Sequence, residues 1–108
     1  MIEKLFSDYI FLTKNILSGI KNGISVEEYF EKREKLIKDI IELDASKEDK
    51  KAEYESSGAK ELDENVVEFI KNEMKDTKMQ MQKAALNKRV YSSYVSSNVS
   101  GSFFRRTI

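Results

Sequence analysis

Residues 2–43 read IEKLFSDYIFLTKNILSGIKNGISVEEYFEKREKLIKDIIEL, and the spacing of their apolar side chains indicates a helical fold. The first half of this stretch repeats apolar side chains every three or four positions, the spacing of an amphipathic helix. Asn22 and Gly23 then supply residues that tolerate left-handed backbone, as helix ends often require. We therefore predict a first helix over residues 2–21 that ends at a tight turn.

A second helix is predicted over residues 25–44. Ser25 and Glu28 have the spacing of a capping box, which would start the helix at Val26. The short connection favours antiparallel packing of the two helices. Arg33 interrupts the apolar stripe, so its head must either reach water or pair with a carboxylate.

The rest of the chain divides into three parts. Residues 45–58 lose the apolar period and alternate charges, which predicts a solvated linker. Periodicity returns at residues 59–90 and predicts a third helix, long enough to overhang its neighbours. Residues 91–108 are rich in serine and predict an exposed C-terminal tail, flexible or partly helical. The predicted fold is an all-α antiparallel bundle of three main helices within residues 1–90, followed by that tail.

Composition agrees with long helices and excludes several chemistries. The 108 residues contain no proline, which turns use and helix interiors reject. They also contain no histidine or cysteine, so imidazole catalysis, thiol catalysis and the usual zinc or haem ligands are not expected. We predict no enzyme activity and no cofactor.

Charge and hydropathy bear on partners and location. Nineteen basic and nineteen acidic residues give no net charge, and they interleave, so no nucleic-acid partner is predicted. No apolar run is long enough to cross a bilayer, and the first residues lack a secretory pattern. The expected location is the cytoplasm.

A methionine group lies in the later part of the predicted third helix. Unbranched thioethers adapt to irregular partner surfaces, although Met74 and Met81 serve equally well as core filling. Met79, Leu86 and Val90 are spaced by seven and four positions, so they would form a second apolar face. This face is the better candidate for a binding surface.

The tail carries apolar residues that a three-helix core does not need. Phe103 and Phe104 stand beside two arginines. Phe103 and Phe104 would dock on the protein's own groove, dock into a partner, or touch a membrane surface. The membrane is the weakest option, because one aromatic pair gives little membrane affinity. A disordered end without a role is the alternative.

The sequence resembles the FliT-type flagellar export chaperones. The resemblance covers most of the chain as a pattern, and its most characteristic parts are REKLI at residues 33–37 and Gly-Ser-Phe-Phe at residues 101–104. Arg105 and Arg106 stand where family members often carry Asp-Lys.

Several properties are implied by this resemblance. Such chaperones bind the filament-cap protein in the cytoplasm, prevent its early assembly, and deliver it to the export gate and its ATPase complex. Some members also bind a flagellar master transcription regulator, and their C-terminal segment covers the client site. By position, the client surface would comprise Met74, Met79, Met81, Leu86, Val90, Tyr91, Tyr94, Phe103 and Phe104. Such exposed apolar surface would also favour a homodimer through the third helix.

Two alternatives stay open from sequence. A chaperone for hook-associated junction proteins would have a similar architecture. A coiled-coil adaptor without a role in export would need only the apolar stripes.

Overall fold

A computed structural model describes residues 1–74 and 87–96 of the chain, and these residues form helices joined by turns. The all-α prediction is confirmed for this part of the protein. The helices are α1 Ile2–Lys21, α2 Glu27–Glu42, α3 Lys47–Ser56, α4 Ala59–Met74 and α5 Lys88–Ser96.

The turn between α1 and α2 has the expected position but not the expected cap. Helix α1 ends at Lys21, and Gly23 has φ +70°, a conformation that glycine adopts without steric cost. Helix α2 begins at Glu27, with Val26 at the N-cap and no side-chain capping bond, so the predicted capping box is wrong. The Val26 side chain is fully buried, and its amide donates to the side chain of Asn87, 61 positions along the chain. A tertiary contact therefore replaces the local cap.

The predicted linker over residues 45–58 is also wrong, because most of it forms α3. Ser46 caps this helix by accepting a hydrogen bond from the Asp49 amide at 3.0 Å. Lys50 is buried and donates from Nζ to the carbonyl oxygen of Ile41 at 2.7 Å, near the end of α2. Tyr54 is the side chain that α3 buries in the core. One aromatic and one lysine stem are too few to produce a visible apolar period.

The prediction of one uninterrupted helix over residues 59–90 is wrong. Helix α4 includes residues 59–74, and Asn87 lies in a turn immediately before α5. Residues 75–86 lie outside the described part of the chain. The predicted tail over residues 91–108 begins within α5, which agrees with a partly helical tail, but Tyr91 and Tyr94 are buried, so the expected exposure is wrong there. Residues 97–108 are not described.

Within residues 1–74 and 87–96, the buried core side chains form two groups. The turn-side cluster joins Ile16 and Ile20 of α1 to Val26 and Phe30, and includes side chains of α4 and α5. The α3-side cluster joins Phe6 and Tyr9 of α1 to the second half of α2 and to Tyr54. Because the late part of α1 meets the start of α2, and the early part meets its end, these two helices are antiparallel.

Gly19 allows α1 to approach the start of α2 closely. A Cβ atom at this position would overlap the Cγ1 atom of Val26. Glycine is therefore required here by packing and not by a positive φ angle.

Candidate partner-binding surface

Helix α5 lies within the fold and contributes three core side chains. Val90, Tyr91 and Tyr94 are at most 5% exposed, and all belong to the turn-side cluster. They pack against α2 and α4. The rings of Tyr94 and Phe30 have centroids 6.5 Å apart at an angle of 55°. A nine-residue helix of this kind is stabilised mainly by such tertiary burial, because short helices are marginal alone.

The N-terminal end of α5 is attached to the turn between α1 and α2 through Asn87. Its Oδ1 atom accepts from the amide of Val26, and its Nδ2 atom donates to the carbonyl oxygen of Ile24, both at 2.9 Å. The side chain is 2% exposed. One buried amide thus satisfies a donor and an acceptor of a distant backbone segment.

Arg89 adds an exposed contact between α5 and α2. Its guanidinium pairs with Glu27 at 3.0 Å and Glu31 at 3.4 Å, and lies 5.2 Å from the centroid of the Phe30 ring. Exposed ion pairs contribute little, so this contact orients α5 more than it stabilises it.

Beneath α5 lies a buried polar network centred on Asp63. Its Oδ2 atom accepts hydrogen bonds from the hydroxyls of Tyr9, at 2.5 Å, and Tyr54, at 2.7 Å. The Arg33 guanidinium donates to the Tyr9 hydroxyl at 2.8 Å and lies 3.7 Å from Asp63 Oδ1. Arg33 therefore takes the second course that the sequence allowed, pairing with a carboxylate.

Arg33 also connects this network to α5. Its guanidinium carbon lies 5.1 Å from the centroid of the Tyr9 ring and 4.8 Å from that of Tyr94. Two aromatic faces thus flank one buried cation, a favourable arrangement when water is excluded. The Tyr94 hydroxyl is buried and makes no hydrogen bond to any described residue. Tyr94 therefore contributes to the packing through its ring and not through its hydroxyl.

Burial shifts the ionisation of these groups. It raises the pKa of the Asp63 carboxyl, while Arg33 and the two tyrosine hydroxyls oppose that rise. It also raises the pKa of the Tyr9 and Tyr94 hydroxyls, so both stay neutral at ordinary pH. Asp63 is 2% exposed, so no substrate in solution reaches its carboxylate in this structure. The network is therefore a packing element.

The structure separates the nine predicted surface residues into two groups. Val90, Tyr91 and Tyr94 are buried, so the expectation that they form exposed surface is wrong here. The other six either lie outside the described residues or, for Met74, belong to a described helix whose side chain is not described; these are Met74, Met79, Met81, Leu86, Phe103 and Phe104. Their binding role stays a prediction.

Sequence reasoning missed Asp63 and Asn87. Asp63 lies four positions after Ala59 and three before Val66, on the buried face of α4, so a carboxylate in an apolar stripe was a detectable signal. Its negative charge is also opposite to that of Arg33, the cation within the apolar stripe of α2. Asn87 had no such signal, because its partners are backbone atoms more than 60 positions away.

The described helices and turns show neither a membrane-spanning helix nor an acidic metal site. None of these helices is long and apolar enough to cross a membrane. No group of three acidic side chains in the same part of the chain is placed to hold a metal ion.

Comparison with protein-family models, with curated proteins and with solved structures finds no match to this chain.

Proposed function

We propose that this protein is a cytoplasmic flagellar export chaperone of the FliT type. In this role it binds the filament-cap protein, prevents its early assembly and delivers it to the export gate and ATPase complex. The observation that carries the proposal is the sequence pattern at residues 33–37 and 101–104, within a chain that resembles this family over most of its length.

The packing of α5 supports the proposal on physical grounds. Val90, Tyr91 and Tyr94 lie between α2 and α4, which is how an amphipathic helix occupies a hydrophobic groove. A client helix with similar side chains would suit the same kind of groove. In the proposed mechanism, the C-terminal segment either completes the client site or covers it until the client binds.

The proposed client surface lies in the C-terminal third of the chain. It combines Met74, Met79, Met81 and Leu86 with Phe103 and Phe104. Val90, Tyr91 and Tyr94 take part only where α5 has left its position in the core. The finer architecture, an antiparallel helical bundle extended by a partner-binding C-terminal segment, belongs to the same proposal.

The test is a pull-down with the co-expressed filament-cap protein. Full-length variants are needed, because truncation before Asn87 would remove three core side chains and weaken the fold. We expect Phe103→Ala with Phe104→Ala, or Met79→Ala with Met81→Ala, to reduce capture at least tenfold. Ile24→Ala is the control, since it truncates a side chain that is 54% exposed and outside the proposed surface.

Three outcomes contradict the proposal at different levels. No capture by the wild-type chain removes the cap protein as client. Undiminished capture by both double variants removes the C-terminal surface from the client site. Displacement of the cap protein by a hook-associated junction protein at equal concentration would assign the protein to junction-protein clients instead.

A further inference from the structure

A groove between α1 and α2 lies outside the surface discussed above. It has a volume of about 310 Å³, and its apolar part is formed by Phe11, Leu12 and Leu36. Phe11 is 66% exposed, an unusual state for a large aromatic ring on a helix that buries its other aromatic residues, Phe6 and Tyr9. The groove therefore combines an apolar floor with a projecting apolar side chain.

The charges along this groove are segregated by sign. It is lined by two acidic residues, Asp8 and Asp39, and two basic residues, Lys32 and Lys35. Asp8 lies near Phe6 and Tyr9, and Asp39 near Ile40; these neighbours share the α3-side cluster. Both carboxylates therefore lie at the α3-side end.

Lys32 lies two positions after Phe30, a member of the turn-side cluster. It marks the opposite, basic end of the groove, and Lys35 lies between the two ends. Lys32 also contacts Glu28 at 3.7 Å, but both side chains are more than half exposed, so this pair is readily rearranged.

We propose that this groove is an interface between two copies of the chain related by a two-fold axis. An axis perpendicular to the groove places the acidic end of each copy against the basic end of the other. The same operation places each Phe11 ring over the apolar middle of the partner groove. This interface differs from the dimer expected through residues 59–90.

A second copy fits better than a simple peptide of one charge sign. A purely acidic or purely basic segment would be attracted at one end of the groove and repelled at the other. A second copy carries both signs in the required order. The groove is small relative to a standard interface of roughly 800 Å² per partner, so the dimer should be weak and concentration-dependent.

The test uses charge reversal in two complementary variants of the full chain. The first is Lys32→Glu with Lys35→Glu, and the second is Asp8→Lys with Asp39→Lys. All four side chains are exposed, so neither variant should disturb the core. Sedimentation velocity at low salt, up to about 1 mM protein, measures association while screening is weak.

We expect the wild-type chain to dimerise and each variant alone to stay monomeric, because like charges then meet at both ends. An equimolar mixture of the two variants should form a heterodimer, since an all-acidic groove meets an all-basic one. Phe11→Ala should weaken wild-type association at least tenfold. Lys47→Glu with Lys51→Glu on α3 makes the same change in net charge as the first variant, away from the groove, and should leave dimerisation intact.

The proposal is overturned by a wild-type chain that stays monomeric at the highest concentration. It is also overturned if each charge variant alone dimerises like the wild type, or if the mixture of folded variants stays monomeric. Circular dichroism checks that each variant is folded. If a charge variant does not fold, Phe11→Ala becomes the deciding test. Undiminished association of the Phe11→Ala variant would exclude the groove as the interface.

Discussion

Arg33 is a cation in the middle of an apolar stripe, and the fold surrounds it with partners from three other helices. Asp63 of α4 supplies the opposite charge, while Tyr9 of α1 and Tyr94 of α5 supply aromatic faces. Desolvating two charges is costly, so the hydrogen bonds from Tyr9 and Tyr54 to the carboxylate are needed to offset it. Removal of either charge would leave the other buried without an opposite charge beside it.

The two tyrosines beside Arg33 should differ sharply in what their hydroxyls contribute. Tyr9→Phe removes a hydroxyl that accepts from Arg33 and donates to Asp63, and should lower the free energy of unfolding by about 2–3 kcal/mol. Tyr94→Phe removes a hydroxyl with no described hydrogen-bond partner and should be neutral or stabilise by up to about 1 kcal/mol. Urea unfolding followed by far-ultraviolet circular dichroism measures both. Equal losses would contradict the network described here.

The Asp63 carboxyl should make stability depend on pH. Its pKa is raised in the folded state by burial, from about 3.9 in the unfolded chain. Its contribution is therefore complete below the unfolded pKa and is lost as pH rises through the folded pKa. We expect the free energy of unfolding of the wild type, relative to Asp63→Asn, to fall as pH increases from about 4.

Urea unfolding of both proteins between about pH 3.5 and pH 8 measures this difference. Asp63→Asn keeps the shape of the side chain and does not titrate, so other carboxyl groups cancel in the comparison. A difference that grows with pH would mean that Arg33 and the tyrosine hydroxyls outweigh burial.

At the scale of whole helices, α3 and α5 are short and depend on contacts from elsewhere in the chain. Helix α3 is held by the Ser46 cap, the Lys50 bond to α2 and the buried ring of Tyr54. Helix α5 is held by three buried side chains and by Asn87. The apolar residues of α3 are too few to show a helical period, whereas Val90, Tyr91 and Tyr94 of α5 have helical spacing over a short segment. Both helices depend on interactions that join distant parts of the sequence.

Asn87 should matter more than Arg89 for the attachment of α5. Asn87→Ala leaves the buried amide of Val26 and the part-buried carbonyl of Ile24 unpaired, which should cost about 1–3 kcal/mol. Arg89→Ala removes exposed ion pairs and should cost less than about 1 kcal/mol. Hydrogen exchange of residues 88–96 measures local protection, which should fall clearly in Asn87→Ala alone. Equal exchange in the two variants would contradict the assigned role of Asn87.

At the scale of the molecule, the two core clusters should unfold together. Tyr9 belongs to the α3-side cluster and Tyr94 to the turn-side cluster, and the Arg33 guanidinium lies between their rings. Helices α1 and α2 also run through both clusters. A chain of 108 residues with such continuous elements is expected to be two-state.

Substitution in either cluster should therefore shift one common transition. Ile40→Val and Ile70→Val should each lower the free energy of unfolding by about 0.5–1.5 kcal/mol. Their effects should add within about 0.5 kcal/mol, since they lie in different clusters. Tyrosine fluorescence and circular dichroism should report the same midpoint. A biphasic curve in which one variant shifts only one phase would show that the clusters unfold separately.

Local sequence is enough to predict the helical class, the end of α1, the turn at Gly23 and the antiparallel pairing of α1 with α2. These features depend on residues within a few positions of each other, through apolar spacing and the special backbone freedom of glycine. The sequence also indicated that the Arg33 guanidinium must reach water or pair with a carboxylate. It did not indicate which of the two occurs.

Tertiary structure alone decided the start of α2, the existence of α3, the break before α5 and the burial of Val90, Tyr91 and Tyr94. It also paired Arg33 with Asp63, 30 positions away, and placed opposite charges at the two ends of the α1–α2 groove. The physical reason is common to all of them: the free energy that stabilises each feature comes from burial and hydrogen bonds between segments far apart in the chain. Local spacing does not show which distant segments meet.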